Sequence, residues 1–252
     1  MKTDRIREMQ EYIVQRNSAT MEELKAHFNV SMNTVRRDVN ELIQRGVLDK
    51  VYGGVSVRRS DHALTPYEVR RINSEAAKTK IGRRAAEMVR DGDIIFIDSG
   101  TTTMQMIDFL QNRRELTVIT NNLEVIIRAL PYENINVIAL PGQLRRKTNS
   151  FAGSDAVRSL QRYNIRTAFI AATGISAHGV TNSSPSEYEI KKCAAEICEE
   201  KVLLVTGEKF GVTGLMTFAP VNAFQRVITD RRPGEEYCQL LKNARAELIL
   251  AD

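Results

Sequence analysis

Residues 96–103 read FIDSGTTT: a β-prone pair, an aspartate, then a tight run of serine, glycine and threonines. A Gly-Thr-rich turn that ends a strand and opens a helix offers backbone N–H groups and hydroxyls to an anion, so it suits a phosphate-handling enzyme and a phosphate sensor equally. Its surroundings decide the fold. Upstream, a helix is predicted from Lys78 to Val89, and "DGD" turns into a strand from Ile94 to Asp98. Downstream, apolar strands are predicted at 117–120, 136–140, 166–171, 201–205, 226–229 and 246–249, separated mostly by helical segments. Strands alternating with helices predict an α/β domain whose mostly parallel sheet is covered on both faces. Ligands of such sheets gather at the carboxyl ends of the strands. The polar turns Asp98 to Thr102, Thr120 to Asn122, Thr173-Gly174 and Gly207 to Gly211 all fall there.

The chain has 252 residues, enough for a small domain plus a medium one, each able to bury a core. Apolar residues at 42% and charged residues at 27% exclude a disordered chain, and no apolar run approaches the length of a membrane span. The N-terminus, MKTDRIREMQ, lacks an apolar signal core, so a cytoplasmic protein is expected. Cys193, Cys198 and Cys238 are expected to be reduced thiols. The net charge of +5 matters by location: residues 31–60 hold six basic and three acidic side chains, a local excess that suits a polyanion.

That basic stretch lies in a helical head. Ile6, Met9 and Ile13 recur at helical spacing, and Thr20 with Glu23 forms a capping-box pattern before a short helix that buries Met21, Leu24 and Phe28. Ser31 caps a third helix, MNTVRRDVNELIQR, closed by Gly46 in the left-handed region. On it Val35, Val39 and Leu42 share one side, while Asn33, Arg36, Arg37 and Asn40 face the other. Arginine can bind guanine, and asparagine adenine, bidentately in the major groove. A hairpin follows, turning at Tyr52-Gly53-Gly54, with Lys50, Arg58 and Arg59 placed to meet a phosphate backbone.

TMEELKAHFNVSMNTVRRDVNELIQRGVLDKVYGGV resembles the winged helix-turn-helix of the DeoR family of bacterial transcriptional regulators, through Ser-x-x-Thr-x-Arg-Arg-Asp at Ser31 to Asp38 and the Gly-Gly wing. The resemblance continues from about residue 75 through "DSGTTT", "ITNN", "PGQLRRKTNSFAG", "AFIAATGI" with "HGVT", and "EKFG". It implies DNA contacts by Ser31, Asn33, Thr34, Arg36, Arg37, Asn40, Lys50, Tyr52, Gly53 and Gly54. It also implies a sensor domain similar in fold to ribose-5-phosphate isomerases, binding a phosphorylated sugar or related metabolite. Ser99, Gly100, Thr101 and Thr102 would cradle the phosphate; Asp98, Asn121 and Asn122 would bind sugar hydroxyls; Gly174 would line the crevice and Lys209 would neutralise phosphate or bind a hydroxyl. Two departures from the family pattern are Thr206-Gly207-Glu208 for the usual Asp-His-Ser, and Pro141 for the first glycine of Gly-Gly.

The expected organisation is a winged helix-turn-helix over 1–57, a linker over 58–77 that contains Pro66, and an effector-sensing domain over 78–252. No catalytic, metal or cofactor set is predicted. His27, His62 and His178 are scattered, "AATGISAHGVTN" holds neither the carboxylate nor the lysine that a sugar-phosphate isomerase needs, and the acidic residues Glu187 and Glu189 are expected on a solvated helix face. The expectation is a DNA-binding regulator of carbohydrate catabolism, most simply a repressor acting as a homo-oligomer on double-stranded operator DNA and released by its effector. The alternative is an isomerase-like enzyme with a DNA-binding head.

Overall fold

A computed structural model describes residues 2–16, 18–57 and 65–252. The chain divides into two compact units, residues 1–73 and 74–252.

In the first unit α1 (Lys2–Arg16) is followed by β1 (Ser18–Thr20), α2 (Met21–Phe28), α3 (Met32–Gln44), β2 (Leu48–Val51), β3 (Gly54–Val57) and α4 (Tyr67–Ile72). Ile6, Met9 and Ile13 of α1 meet Leu24, Val35, Val39 and Leu42 in one core. Each such fully buried aliphatic side chain contributes about 1.5–3 kcal/mol. The capping box opens α2: Glu23 N donates to Thr20 Oγ1 at 3.2 Å, and Thr20 N to the Glu23 carboxylate at 2.7 Å. Asn29 then turns the chain at φ 49°, and Gly46, at φ 74°, follows α3. An ion pair with Arg5 at 2.7 Å ties the buried Asp38 of α3 to α1.

β1, β3 and β2 form a small antiparallel sheet in that order. The three-residue β1 is too short to show in the sequence pattern, yet it explains Gly54: any Cβ there would lie 2.3 Å from the Ala19 carbonyl oxygen. The segment expected to be a linker carries structure instead. α4 buries Val69 in the first unit's core with Ile72 packed against it, and the next helix begins at Glu75, so the break in packing falls between Asn73 and Ser74. Arg58, Arg59 and His62 lie outside the described residues.

The second unit runs α5 (Glu75–Ala86), β4 (Ile94–Ile97), a 3-10 helix Thr103–Phe109, β5 (Leu116–Thr120), α6 (Leu123–Ala129), β6 (Ile135–Ala139), β7 (Gln143–Arg145), β8 (Ser150–Ala152) and α7 (Ser154–Leu160). It continues with β9 (Thr167–Ala171), β10 (Gly174–Ser176), β11 (Gly179–Asn182), α8 (Pro185–Ile197), β12 (Glu200–Leu204), β13 (Met216–Ala219), β14 (Arg226–Thr229), α9 (Glu235–Asn243) and β15 (Glu247–Leu250). Seven strands make one sheet in the order β15-β14-β12-β9-β4-β5-β6, and each neighbouring pair is parallel.

The strand order carries the functional information. From β4 the chain steps outward to β5 and β6, then crosses back to β9 on the other side of β4 and steps outward again. The reversal lies between β4 and β9, which makes their carboxyl ends the topological switch point where such sheets bind ligands. Two smaller antiparallel sheets, β10-β11-β13 and the hairpin β7-β8, are additions that the strand–helix alternation did not reveal.

Candidate functional site

The outward face of α3 is assembled as the sequence predicts. Val35, Val39 and Leu42 are buried, whereas Asn33, Arg36, Arg37 and Asn40 are exposed. Ser31 and Thr34 serve the helix start: Thr34 N donates to Ser31 Oγ at 3.2 Å, and the two hydroxyls lie 2.9 Å apart. Lys50 and Tyr52 stand exposed on the β2-β3 wing, whose turn places Gly53 at φ 76°.

At the switch point the residues following β4, β5 and β9 are brought together, in a pattern that differs from the expected one. The buried Asp98 was expected to meet sugar hydroxyls. Its Oδ1 instead accepts from Gly100 N at 2.9 Å and Thr103 Oγ1 at 2.6 Å, and its Oδ2 from Ala171 N at 2.8 Å and from Lys191 Nζ. Both oxygens are spent on holding the 98–103 turn against β9. Asn122 is likewise committed. Its Nδ2 donates to the carbonyls of Asp98 and Gly100 at 3.0 and 3.3 Å, and its Oδ1 accepts from Glu124 N at 3.0 Å to cap α6. Gly100 is required because a Cβ would lie 2.4 Å from that of Ala171. Gly174 belongs to β10, pressed so closely on Val212 that a Cβ would lie 2.0 Å from the Val212 carbonyl oxygen; packing, with no room for a ligand there, explains this glycine.

Ser99 and Asn121 meet at a residue that the sequence reading placed in solvent. Glu187 of α8 is buried, and its carboxylate accepts from Ser99 Oγ, from Asn121 Nδ2 at 3.0 Å and from Ser150 Oγ at 2.6 Å, with Thr148 Oγ1 3.5 Å away and 2.7 Å from Ser150 Oγ. One helical turn later Lys191, also buried, donates to Asp98 and to the Ala171 carbonyl at 2.9 Å. Glu187, Ile190, Lys191 and Ala194 occupy one buried stripe at i, i+3, i+4 and i+7, which is the signal that could have found them. Thr101 and Thr102 are buried on the same turn as Ser99.

Lys209 sits on a 3-10 turn, Gly207–Lys209, after β12, with its ammonium 3.2 Å from the Glu208 carboxylate. Burial pushes the Glu208 carboxyl up, but Lys209 and Lys78 together outweigh it and hold the group below its ordinary value. Glu208 thus sets a carboxylate directly beside the lysine. The cysteines are free thiols; burial above all, with help from Cys193, pushes Cys198 up to about 12, which leaves it unreactive. Among the described residues no group of histidine, cysteine and carboxylate side chains could hold a metal ion, and no helix is long and apolar enough to cross a membrane.

The profile of the DeoR C terminal sensor domain matches residues 73–231, and that of the DeoR-like helix-turn-helix domain matches residues 5–61. The chain belongs to the DeoR family. This DeoR-family protein is 43% identical to the HTH-type transcriptional regulator IolR of Bacillus subtilis, over the full length of both chains. It is 28% identical to the glycerol-3-phosphate regulon repressor of Escherichia coli, over 95% of each. Among solved structures, a D-ribose-5-phosphate isomerase in complex with phospho-erythronic acid is similar over 55% of each chain, at 15% identity and a TM-score of 0.41. The protein is therefore a DNA-binding transcriptional regulator and not an enzyme, a conclusion that rests on its named relatives. The carboxylate and the lysine that "AATGISAHGVTN" lacks enter the site from α8 instead, as Glu187 and Lys191.

Proposed function

We propose that this regulator represses a carbohydrate-catabolism operon as a homo-oligomer on double-stranded operator DNA, and that a phosphorylated sugar or sugar-derived effector at the switch point releases it. The observation that carries the reading is the convergence of Ser99, Asn121, Ser150 and Glu187 beside Thr101 and Thr102, at the sheet position where α/β folds take ligands. The glycerol-3-phosphate regulon repressor, matched over nearly its whole length, supports a phosphorylated effector.

Asn33, Arg36, Arg37 and Asn40 would enter the major groove from α3, with Ser31, Thr34 and the wing residues Lys50, Tyr52, Gly53 and Gly54 against the backbone. The functional division would follow the expected one, a DNA-reading head over 1–57 and a sensor over 78–252. An effector lowers DNA affinity only to the extent that it binds the released geometry more tightly than the DNA-bound one. Thr101→Val tests the cradle: effector-driven release of operator in a gel-shift titration should be lost, and a dose–response identical to wild type would sink the assignment.

A further inference from the structure

The buried polar groups at the switch point are unbalanced in a way that identifies what they take. Asp98 is matched by Lys191 and both of its oxygens are engaged. Glu187, one turn earlier on the same stripe of α8, is 2% exposed and has no lysine or arginine in ion-pairing reach among the described residues. Among the described residues neutral donors alone hold it, and they come from three other segments: Ser99 after β4, Asn121 after β5, and Ser150 on the return strand of the β7-β8 hairpin. Ser150 gives its one hydrogen to Glu187 and so accepts that of Thr148 Oγ1 at 2.7 Å, which leaves one acceptor position open on Glu187 where Asp98, with two donors on each oxygen, has none.

Asn121 adds a second observation. Its Nδ2 faces two acceptors, the Phe151 carbonyl at 3.1 Å and Glu187 at 3.0 Å, which fixes the amide's orientation. Among the described residues its Oδ1 is then left buried with no hydrogen-bond partner. Buried polar atoms are nearly always paired, so an unpaired one marks a place where a donor belongs. Beside it stands a carboxylate, which in its charged form only accepts.

We infer that Glu187 and Asn121 Oδ1 form the specificity-determining end of the effector site, accepting the hydroxyl hydrogens of the polyhydroxylated part of a sugar or sugar-derived effector. The inference rests on the sensor reading above and deepens it. A hydroxyl can donate its hydrogen to either acceptor; a phosphate dianion has none to donate, and beside a buried carboxylate it meets a like charge where solvent screening is weak. The effector's phosphate therefore lies at the other end, toward Thr101 and Thr102, and Ser99 belongs with the hydroxyl end. Sites that hydrogen-bond a hydroxyl reject analogues that lack it far more strongly than apolar pockets reject a missing methylene.

Calorimetric titration of the full chain tests this, using a panel of pentose, hexose and hexitol phosphates, each paired with an analogue lacking one hydroxyl, with inorganic phosphate as control. At least one panel member should bind more tightly than its deoxy analogue, and Glu187→Gln should weaken that member roughly ten- to hundredfold. Inorganic phosphate should bind the variant no more weakly than it binds wild type. Glutamine is isosteric, and its amide can donate to the Ser150 and Thr148 hydroxyls, which can turn to accept. If that variant does not fold, Asn121→Ser, which removes the unpaired acceptor, carries the same expectation. Equal affinity of variant and wild type for the best panel member overturns the inference and leaves the sensor reading standing. A parallel loss of inorganic phosphate places the anion at the Glu187 end and overturns it as well. Failure of every panel member to bind wild type overturns both.

Discussion

On α3 the side chains proposed to meet DNA, Asn33, Arg36, Arg37 and Asn40, all stand exposed, whereas the polar groups gathered at the ends of β4, β5 and β9 are buried and bonded to one another. The contrast follows from what each unit must grip. A duplex is larger than the head and is met on an outer surface, so its readers contribute little to the fold that presents them. A small effector is enclosed, so the groups that would bind it also hold the sensor unit together. Glu187 alone joins the turns after β4 and β5 and the β7-β8 hairpin to α8. In the head, binding and stability are separable; in the sensor they are linked.

The buried polar network of the sensor breaks hardest at Lys191. Lys191→Met keeps the volume but leaves Asp98 buried without its cation, and removing one partner of a buried pair costs about 3–5 kcal/mol. Urea unfolding should show that loss in the sensor unit, and a change under about 1 kcal/mol would show that the pair contributes no net stability. The head should behave in the opposite way. Arg36→Ala or Arg37→Ala should weaken operator binding by about 1–3 kcal/mol where the arginine reads a base, or lower the salt slope by about one where it grips phosphate. Neither should alter unfolding stability by more than about 0.5 kcal/mol. A destabilised variant with unchanged DNA affinity would reverse the comparison.

The same contrast explains what was legible in the sequence. The head is written locally: the capping box spans Thr20 to Glu23, and the apolar and polar faces of α3 alternate within a few turns. The seven strands of the parallel sheet were also legible, because buried parallel strands are continuous apolar runs. The site was legible only in part. Ser99 and Glu187 are 88 positions apart and Asp98 and Lys191 are 93 apart, so no local window joins them. A charged residue on a helix is usually solvated, and that rule hid Glu187 and Lys191 even though their spacing from Ile190 and Ala194 puts them on the buried stripe. Asp98 and Asn122 were misjudged for the converse reason: both side chains are spent on backbone turns whose demands appear only once β4, β5 and β9 lie side by side.

A smaller effect separates cap from contact within the head. Ser31 both opens α3 and lies on the proposed DNA face, so Ser31→Ala should cost about 1 kcal/mol of stability through the lost bond to Thr34 N. Ser31→Asp restores an acceptor at that position and should recover the stability while lowering operator affinity, because it adds a negative charge near phosphate. Loss of stability in both variants would show that the hydroxyl acts through something other than the cap.

The smallest effect lies at Glu208, one of the residues at which the sequence departs from the pattern it otherwise resembles. Lys209 and Lys78 hold its carboxyl below the ordinary value against the upward push of burial, so the charged form is favoured more in the folded state than in the unfolded one. A lowered folded value stabilises above the unfolded carboxyl's range, and that stability is lost as pH falls through the folded value. The side chain is 44% exposed, so solvent screens most of the gain and the slope should be shallow. Wild type should exceed Glu208→Gln in stability at neutral pH, and the gap should close as the pH is taken below the carboxylate range. A gap that is constant with pH would mean that Glu208 acts through packing, while one that widens in acid would reverse the sign and place the carboxylate among groups that repel it. Either result would return Lys209 to the pool of cations free to meet a phosphate.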